Sequence, residues 1–112
     1  MATFLVGCTE DEWQKLVVST ARACGWFVVH LRKARKKNGS WETPVMGDGK
    51  GFVDLILYGH GRVIHVELKT DTGSRTHEQV EWQARIERAG MAYRLWRPGD
   101  WTAVRAELEN NQ

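Results

Sequence analysis

The sequence predicts an α/β domain in which a mixed β-sheet is covered by helices on both faces. Two capping boxes, Thr9 with Glu12 and Thr76 with Gln79, each open a stretch with helical periodicity. Short runs rich in aromatic and β-branched residues lie between and after these stretches and favour strands. Helices before and after the strands favour a sheet that is buried on both faces. A chain of 112 residues forms one hydrophobic core and does not divide further, so we expect a single domain over 1–112.

The first half of the chain is predicted to form one helix, one strand and a long loop. Apolar residues recur at helical spacing after the first capping box until Gly25, which predicts a helix over 10–24. The aromatic and β-branched run 26–31 predicts a strand. The segment 32–51 lacks periodicity and contains four glycines and a proline, so we expect a loop. Loops of this length in compact domains are usually functional or mobile.

A predicted β-hairpin brings two carboxylates together. Two strand-like runs, 53–58 and 62–69, are joined by a glycine-rich turn and should pair antiparallel. If they pair symmetrically about this turn, residue i lies opposite residue 121 − i, and Asp54 lies opposite Glu67. Directly opposed residues have Cβ atoms about 4.5–5.5 Å apart. Lys69 joins the pair because side chains two positions apart on a strand point the same way.

The last part of the chain is predicted to add a helix, a strand and a short helix. The second capping box opens a helix that ends at Gly90. Its apolar positions are Val80, Trp82, Ala84, Ile86 and Ala89. The run 91–96 predicts a strand, and Asp100 is placed to cap a final helix. That helix has Trp101, Val104 and Leu108 on one side. The predicted order is therefore α-β-β-β-α-β-α.

The opposed carboxylates predict a divalent metal site. Two acids at neighbouring positions repel each other, and a bound cation removes the conflict. Mg²⁺ suits oxygen ligands and uses one or two carboxylates together with waters and substrate phosphate; Mn²⁺ is its expected substitute. Such an ion lowers the pKa of an attacking water, and Lys69 could orient that water or stabilise the phosphorus centre. The alternative is that Glu67 and Lys69 form an exposed polar stripe on an amphipathic strand. Because Asp54 lies at the position that pairs with Glu67, we favour a catalytic metal site that cleaves a phosphodiester bond.

Composition indicates a soluble protein of a reducing cytosol. The chain is 42% hydrophobic and 27% charged, which is typical of globular proteins. Cys8 and Cys24 are too few for a disulfide scaffold and lack the spacing of a zinc site. The N-terminal sequence lacks an export signal, and no segment is apolar enough to span a membrane. We therefore expect a cytoplasmic protein that has neither a membrane partner nor a small-molecule cofactor.

A dense basic run favours nucleic-acid binding. The net charge is only +2, but five cations fall within six positions. They are Arg32, Lys33, Arg35, Lys36 and Lys37. A solvated loop is the alternative for this run taken alone. Most of the six tryptophans lie on apolar faces and are predicted to be core, but Trp41 lies beside the basic run, where it either stacks on an unpaired base or packs against the domain.

Four motifs resemble the VRR-NUC branch of the PD-(D/E)xK nucleases, and the resemblance extends over nearly the whole chain. They are Gly51-Phe52-Val53-Asp54, Val66-Glu67-Leu68-Lys69-Thr70, Thr76-His77-Glu78-Gln79 and Trp96-Arg97-Pro98. The resemblance implies a PD-(D/E)xK-like core and a homodimeric nuclease that acts on branched DNA such as Holliday junctions. It also implies a bacterial or phage-infected host cytosol, where small stand-alone proteins of this branch are common.

The same resemblance assigns roles to individual residues. Asp54 and Glu67 would hold the metal together with the backbone carbonyl of Leu68, and Lys69 would be the motif lysine. Val53 stands where the family usually has proline, a change that affects local rigidity and removes no ligand.

The family also places a glutamate in the first helix and a glutamine at the start of the helix after the lysine. Three acids of the first helix, Glu10, Asp11 and Glu12, compete for the first role. Glu12 is engaged in the capping box, whereas Glu10 lies three and seven residues before Trp13 and Val17 and should share their buried face, so Glu10 is favoured over Glu12. Gln14 lies on the same face as Glu10. Gln79 fits the second role, although its place in a capping box explains it equally well. His65 shares the face of Glu67, but a single histidine on a strand is more often a packing residue.

Two other functions compete with this prediction. One is a DNA-binding module that keeps the fold and does not cut, but such a protein should have lost at least one of Asp54, Glu67 and Lys69. The other is a restriction-type endonuclease that recognises a sequence. Against it, 112 residues leave little material for reading bases in the major groove.

Overall fold

The chain forms three α-helices and six β-strands, in a computed structural model that describes residues 5–31, 34–35, 41–42 and 47–110. In chain order the elements are α1 (Glu10–Ala23), β1 (Phe27–His30), β2 (Ala34–Arg35), β3 (Trp41–Glu42), β4 (Leu55–Gly59), β5 (Arg62–Leu68), α2 (His77–Arg88), β6 (Ala92–Trp96), a 3₁₀ turn (Pro98–Asp100) and α3 (Trp101–Leu108). Both predicted capping boxes are present at α1 and α2.

Four strands form the mixed sheet that the sequence predicts, in the order β1-β4-β5-β6. Strand β4 runs antiparallel to both of its neighbours, β1 and β5, and β6 lies parallel to β5. The hairpin register is confirmed, since Leu55 pairs with Val66 and Gly59 pairs with Arg62. The connecting residues His60 and Gly61 have φ angles of 51° and 77°, as a tight two-residue turn requires.

Helices cover the two faces of the sheet, as predicted. On one face, α1 and α3 pack on a large core. Its fully buried members include Trp13, Val17, Leu57, Ile64 and Val104. On the other face, α2 packs on a smaller cluster of Val53, Ile86 and Tyr93. Three of the predicted core tryptophans are buried, at positions 13, 26 and 96, whereas Trp82 and Trp101 are partly buried.

The segment predicted as a loop contains a second, two-stranded sheet. Strands β2 and β3 pair antiparallel, with Arg35 opposite Trp41. The expectation of a loop free of strands is therefore wrong at these positions. Strands of two residues are too short to produce a periodic pattern, so only their pairing identifies them. Residues 32–33, 36–40 and 43–46 lie outside the described part of the chain.

Two details of the helices differ from the prediction. The buried side chains of α2 are Gln79 and Ile86, whereas Val80 is 45% exposed and Ala84 and Ala89 are exposed as well. The apolar pattern of α2 is weak, so the angle at which the helix meets the sheet decides which face is buried. At α3, Asp100 occupies the cap position but its carboxylate accepts a hydrogen bond from the backbone N–H of Arg97 (3.1 Å) instead of capping the helix.

In the described ranges, no helix combines the length and the apolar composition that crossing a membrane requires.

A charged network joins α3 to the sheet on the face opposite α2. Glu107 accepts two hydrogen bonds from Arg94, each of 2.8 Å, and one of 3.1 Å from Arg62. The guanidinium of Arg62 also lies over the ring of Trp26 at 5.4 Å. Burial opposes ionisation of Glu107, but the bonds and charges of the two arginines outweigh it and lower the pKa of this carboxyl below its ordinary value.

Glu107→Gln should lower the free energy of unfolding at pH 7 by about 1 kcal/mol, because two part-exposed arginines lose an ionised partner. Since the folded-state pKa of Glu107 is lowered, this contribution is present above the unfolded-state pKa of about 4.3 and is lost as the pH falls through the folded-state pKa. Urea titrations at pH 7 and pH 3 measure both effects. Lys15→Gln, which breaks an exposed pair with Asp11, is the control and should change stability less; an equal loss in the two variants would contradict the prediction.

Candidate active site

Asp54 is held at the end of the hairpin by both neighbouring strands. It lies one residue before β4, its backbone N–H donates to the carbonyl of Val66 (3.0 Å), and its own carbonyl accepts from Leu31 (2.9 Å). Its carboxylate oxygen Oδ2 accepts from the backbone N–H of Leu68 at 2.8 Å. The residue is only 6% exposed. These contacts fix the carboxylate beside the end of β5.

Glu67 is the most deeply buried carboxylate of the described residues, with 1% of its surface exposed. Its neighbours Val66 and Leu68 point into the core under α1, so Glu67 points to the opposite face, as predicted. Oxygen Oε1 accepts a hydrogen bond from Tyr93 Oη at 2.7 Å. Oxygen Oε2 is buried and has no hydrogen-bond partner. One oxygen of the buried Glu67 carboxylate therefore lacks a hydrogen bond that would offset its loss of hydration.

The pKa of Glu67 is raised above its ordinary value by burial and, to a lesser degree, by the negative charge of Asp54. The hydrogen bond from Tyr93 and the positive charges of Lys69 and Arg75 oppose this increase. The structure therefore couples the two predicted carboxylates electrostatically and brings the cation of Lys69 into their field. These are the three residues on which the sequence prediction depends.

The segment that carries Lys69 is fixed by the end of β6. The backbone N–H of Lys69 donates to the carbonyl of Trp96 at 3.1 Å. The Arg97 guanidinium donates to the carbonyls of Thr70 (2.6 Å) and Gly73 (2.7 Å). Sequence reasoning quoted Arg97 as part of a motif but assigned it no role. Its role here is to hold the chain that follows the lysine.

Gly51 allows the segment before Asp54 to lie directly on the first turn of α2. Its φ is +79°, and an added Cβ would stand 2.5 Å from the Cβ of Glu78 and 3.0 Å from the backbone nitrogen of Gln79. Any residue with a Cβ at position 51 would collide with α2 unless the backbone moved. Val53, which stands at the family's proline position, is buried against Ile86 and Tyr93 and so anchors the same segment by packing.

Gln79 performs the capping role that the sequence assigns to it. Its Oε1 accepts from the backbone N–H of Thr76 (2.7 Å), and its own N–H donates to the Thr76 hydroxyl (3.2 Å). The side chain is 8% exposed. A catalytic role for Gln79 stays a prediction.

The first turn of α1 reaches the same end of the sheet. The indole of Trp13 donates to the carbonyl of Trp96 at 3.1 Å, which is the carbonyl that also accepts from Lys69. Glu10 lies one turn earlier but is exposed, so the expectation that it shares the buried face of Trp13 is wrong. Helical spacing sets the direction in which a side chain points, but whether another element covers that side chain depends on tertiary packing. A role for Glu10 in catalysis stays a prediction.

The other polar residues of helix α1 are engaged elsewhere. Glu12 closes the capping box, its Oε1 accepting from the backbone N–H of Thr9 at 2.9 Å. Gln14 contacts the imidazole of His30. Neither contact involves the two buried carboxylates.

Two residues of the site were missed by sequence reasoning. Tyr93 donates to Glu67, and its hydroxyl accepts from Arg75 at 3.3 Å. Arg75 also donates to Gln83 on α2. Burial and the neighbouring Glu67 raise the pKa of the Tyr93 phenol well above its ordinary value. The parallel register that places Tyr93 beside His65 links distant segments, and no local pattern in the sequence indicates it.

The donor set fits a magnesium ion. Within the described residues, no cluster of three or more His, Cys, Asp or Glu side chains surrounds a common point. Mg²⁺ needs only one or two carboxylates, since waters and substrate phosphate complete its octahedron. The orphaned Oε2 of Glu67 is a suitable ligand atom. The carbonyl of Leu68 stays a predicted ligand; the backbone N–H of the same residue is bound to Asp54.

The remaining candidates lie beside or outside this arrangement. His65 packs edge-on against Phe52, with ring centres 6.2 Å apart, as expected for a packing residue. The basic run falls mostly outside the described residues: Arg32, Lys33, Lys36 and Lys37 are in the undescribed ranges, and Arg35 is described only as a member of β2. Their role in DNA binding stays a prediction.

Glu67→Gln should raise the melting temperature in EDTA at pH 7 by about 4 °C, equivalent to roughly 1 kcal/mol, because it removes a buried charge and its repulsion with Asp54. Glu81→Gln, on the outer face of α2, is the control and should leave the melting temperature unchanged. Differential scanning calorimetry measures both. A lower melting temperature for Glu67→Gln would show that the carboxylate is already compensated within the protein.

Comparison with known proteins identifies no relative. No family model, no curated protein and no solved structure matches the chain. The chemical interpretation of the site therefore depends on its own geometry: two buried carboxylates, one orphaned oxygen and an adjacent lysine at the end of a mixed sheet.

Proposed function

We propose that the protein is a Mg²⁺-dependent endodeoxyribonuclease that hydrolyses phosphodiester bonds, with Asp54 and Glu67 as metal ligands and Lys69 as the adjacent cation. The observation that carries this proposal is the buried Oε2 of Glu67, which has no hydrogen-bond partner and lies in the field of a second buried carboxylate. Burying a negative charge without enough hydrogen bonds or ion pairs costs free energy, and a bound cation offsets this cost by neutralising the charge. A site that is unstable when empty and stable when a cation is present is expected of a metal enzyme.

The residues of the site suit phosphodiester hydrolysis. When bound, Mg²⁺ would neutralise negative charge on the phosphate and lower the pKa of a water molecule bound to it. Asp54 is held in place by hydrogen bonds with the backbone of Leu31, directly after β1, and of Val66 and Leu68 in β5. Lys69 lies two residues after Glu67, its positive charge acts on the Glu67 carboxylate, and its proposed role is to donate to a phosphate oxygen as negative charge develops. The hydrogen bond from the backbone N–H of Lys69 to the carbonyl of Trp96 fixes the backbone from which this side chain extends.

The substrate that we propose is branched DNA, such as a Holliday junction, cut by a homodimer. Support comes from the resemblance of the four motifs to the VRR-NUC branch of the PD-(D/E)xK nucleases. An α/β sheet with a carboxylate pair at the end of its central hairpin is compatible with that type of core. Paired cuts in a symmetric junction require two active centres related by a two-fold axis, which a homodimer supplies.

Asp54→Ala, Glu67→Ala and Lys69→Ala should each reduce cleavage by at least about 10²-fold and leave DNA affinity nearly unchanged, because these residues serve the reacting groups rather than docking. The assay uses labelled junction, flap, single-stranded and linear duplex DNA, each with Mg²⁺, Mn²⁺ or EDTA. Glu81→Ala and Lys15→Ala, which remove an exposed acid and an exposed base, are the matched controls and should cleave normally.

The same assay separates the proposal from its competitors. Normal turnover in any of the three variants would remove that residue from the site. DNA binding by the wild-type protein without cleavage under any metal condition would indicate a binding module. Cleavage of linear duplex at one defined sequence would indicate a restriction-type enzyme.

Replacing Arg32, Lys33, Arg35, Lys36 and Lys37 with glutamine should weaken binding to all four DNAs alike. Each lost phosphate contact to duplex DNA lowers the slope of log K against log salt by about 0.9. Fluorescence anisotropy at four salt concentrations measures affinity and slope together. If both are unchanged, the basic run is only a solvated surface and the phosphate contacts lie elsewhere.

A further inference from the structure

The hydroxyl of Tyr93 is held between a carboxylate and a guanidinium. It donates to Oε1 of Glu67 at 2.7 Å and accepts from Nη1 of Arg75 at 3.3 Å. Tyr93 is 6% exposed and lies on β6, beside His65 and therefore one diagonal step from Glu67. Arg75 is itself held by the side-chain oxygen of Gln83 on α2. We call the chain Gln83, Arg75, Tyr93 and Glu67 the Tyr93 relay.

The direction of the hydrogen bonds in the Tyr93 relay is determined. A phenol hydroxyl has one hydrogen, and a guanidinium only donates. An ionised carboxylate only accepts, so with Arg75 donating to the hydroxyl the single hydrogen of Tyr93 is directed to Glu67. Tyr93 therefore donates to Oε1 of the ionised carboxylate, and Arg75 polarises the hydroxyl and strengthens the bond.

This donor also decides which oxygen of Glu67 remains available. Oε1 is engaged by Tyr93, and Oε2 is buried without a partner. Rotation of the carboxylate would break the bond to Tyr93, so the orphaned oxygen is held in one orientation. In metal sites, hydrogen bonds to ligating carboxylates set the ligand geometry, and their loss typically costs 10–100-fold in metal affinity or activity.

We propose that Tyr93 and Arg75 are positioning residues that orient Glu67 toward the metal ion and thereby set the metal affinity of the site. This inference rests on the proposed function, because it assumes that Glu67 binds a metal. Neither residue touches the reacting atoms. Their removal should therefore raise the metal concentration that is needed for cleavage, and the rate at saturating metal should stay close to that of the wild type.

The test measures Mn²⁺ binding to the metal-free protein without DNA, by electron paramagnetic resonance of the unbound ion. Tyr93→Phe should raise the Mn²⁺ dissociation constant by about tenfold. Arg75→Lys keeps the charge near the metal, but its side chain ends one bond short of the position of Nη1, the atom that contacts both Gln83 and Tyr93, so it should raise the constant less, in the same direction. Tyr58→Phe, at the chain's other tyrosine, which is 48% exposed, should leave it unchanged.

Cleavage at increasing Mg²⁺ gives a second readout. The Mg²⁺ concentration at half-maximal rate should rise in Tyr93→Phe by the same factor as the Mn²⁺ dissociation constant, and the maximal rate should recover. A merely structural role would lower the melting temperature without moving this midpoint. If Tyr93→Phe does not fold, Arg75→Lys tests the Tyr93 relay through the hydrogen bond that Arg75 donates to the Tyr93 hydroxyl.

The outcomes distinguish the two proposals. If the wild-type protein binds Mn²⁺ and Glu67→Gln does not, Glu67 is a ligand. Unchanged binding in both Tyr93→Phe and Arg75→Lys then overturns the positioning role and leaves the proposed function intact. If the wild-type protein binds no Mn²⁺ at millimolar concentration, the proposed function fails, and the inference that rests on it fails as well.

Discussion

The pairing of β4 with β5 is the constraint on which the candidate site depends. Each residue of β4 lies opposite the residue of β5 for which the two numbers add to 121, from Leu55 with Val66 to Gly59 with Arg62. A shift by one residue would turn Glu67 into the core under α1 and expose Val66 and Leu68 on the other face. Because the buried side chains of the core exclude that shift, the same interactions that stabilise the fold also place Glu67 beside Asp54.

The two faces of the sheet bury different kinds of side chain. The face under α1 and α3 carries the larger apolar core, with several fully buried side chains. The face under α2 carries a smaller cluster and two buried carboxylates, and the Oε2 oxygen of one of them, Glu67, is buried without a hydrogen-bond partner. Burying such charges lowers stability, and the larger core on the opposite face can offset that cost. We infer that the division of the molecule into a stabilising face and a functional face allows a small chain to keep an unfavourable site.

Rigid backbone surrounds the site on every described side. Asp54 is fixed by β1 and β5, the segment after Lys69 is fixed by Arg97, and the segment before Asp54 rests on the first turn of α2 through Gly51. Each of these contacts joins segments that are far apart in sequence. Positioned groups need not reorganise when charge develops in a reaction, which is the property that a hydrolytic site requires.

The sequence by itself determined the local elements and the core of the site. Capping boxes placed α1 and α2, the glycine-rich turn set the hairpin register, and alternation along β5 assigned Glu67 and Leu68 to opposite faces. These features depend on neighbouring residues or on one tight turn, so a linear pattern contains them. Only the tertiary structure decided that Glu10 is exposed, that β2 and β3 pair, and that Tyr93 and Arg75 approach Glu67. The contacts of Tyr93 and Arg75 depend on how α2 and β6 pack beside the hairpin, and the packing of distant elements leaves no periodic signal in the chain.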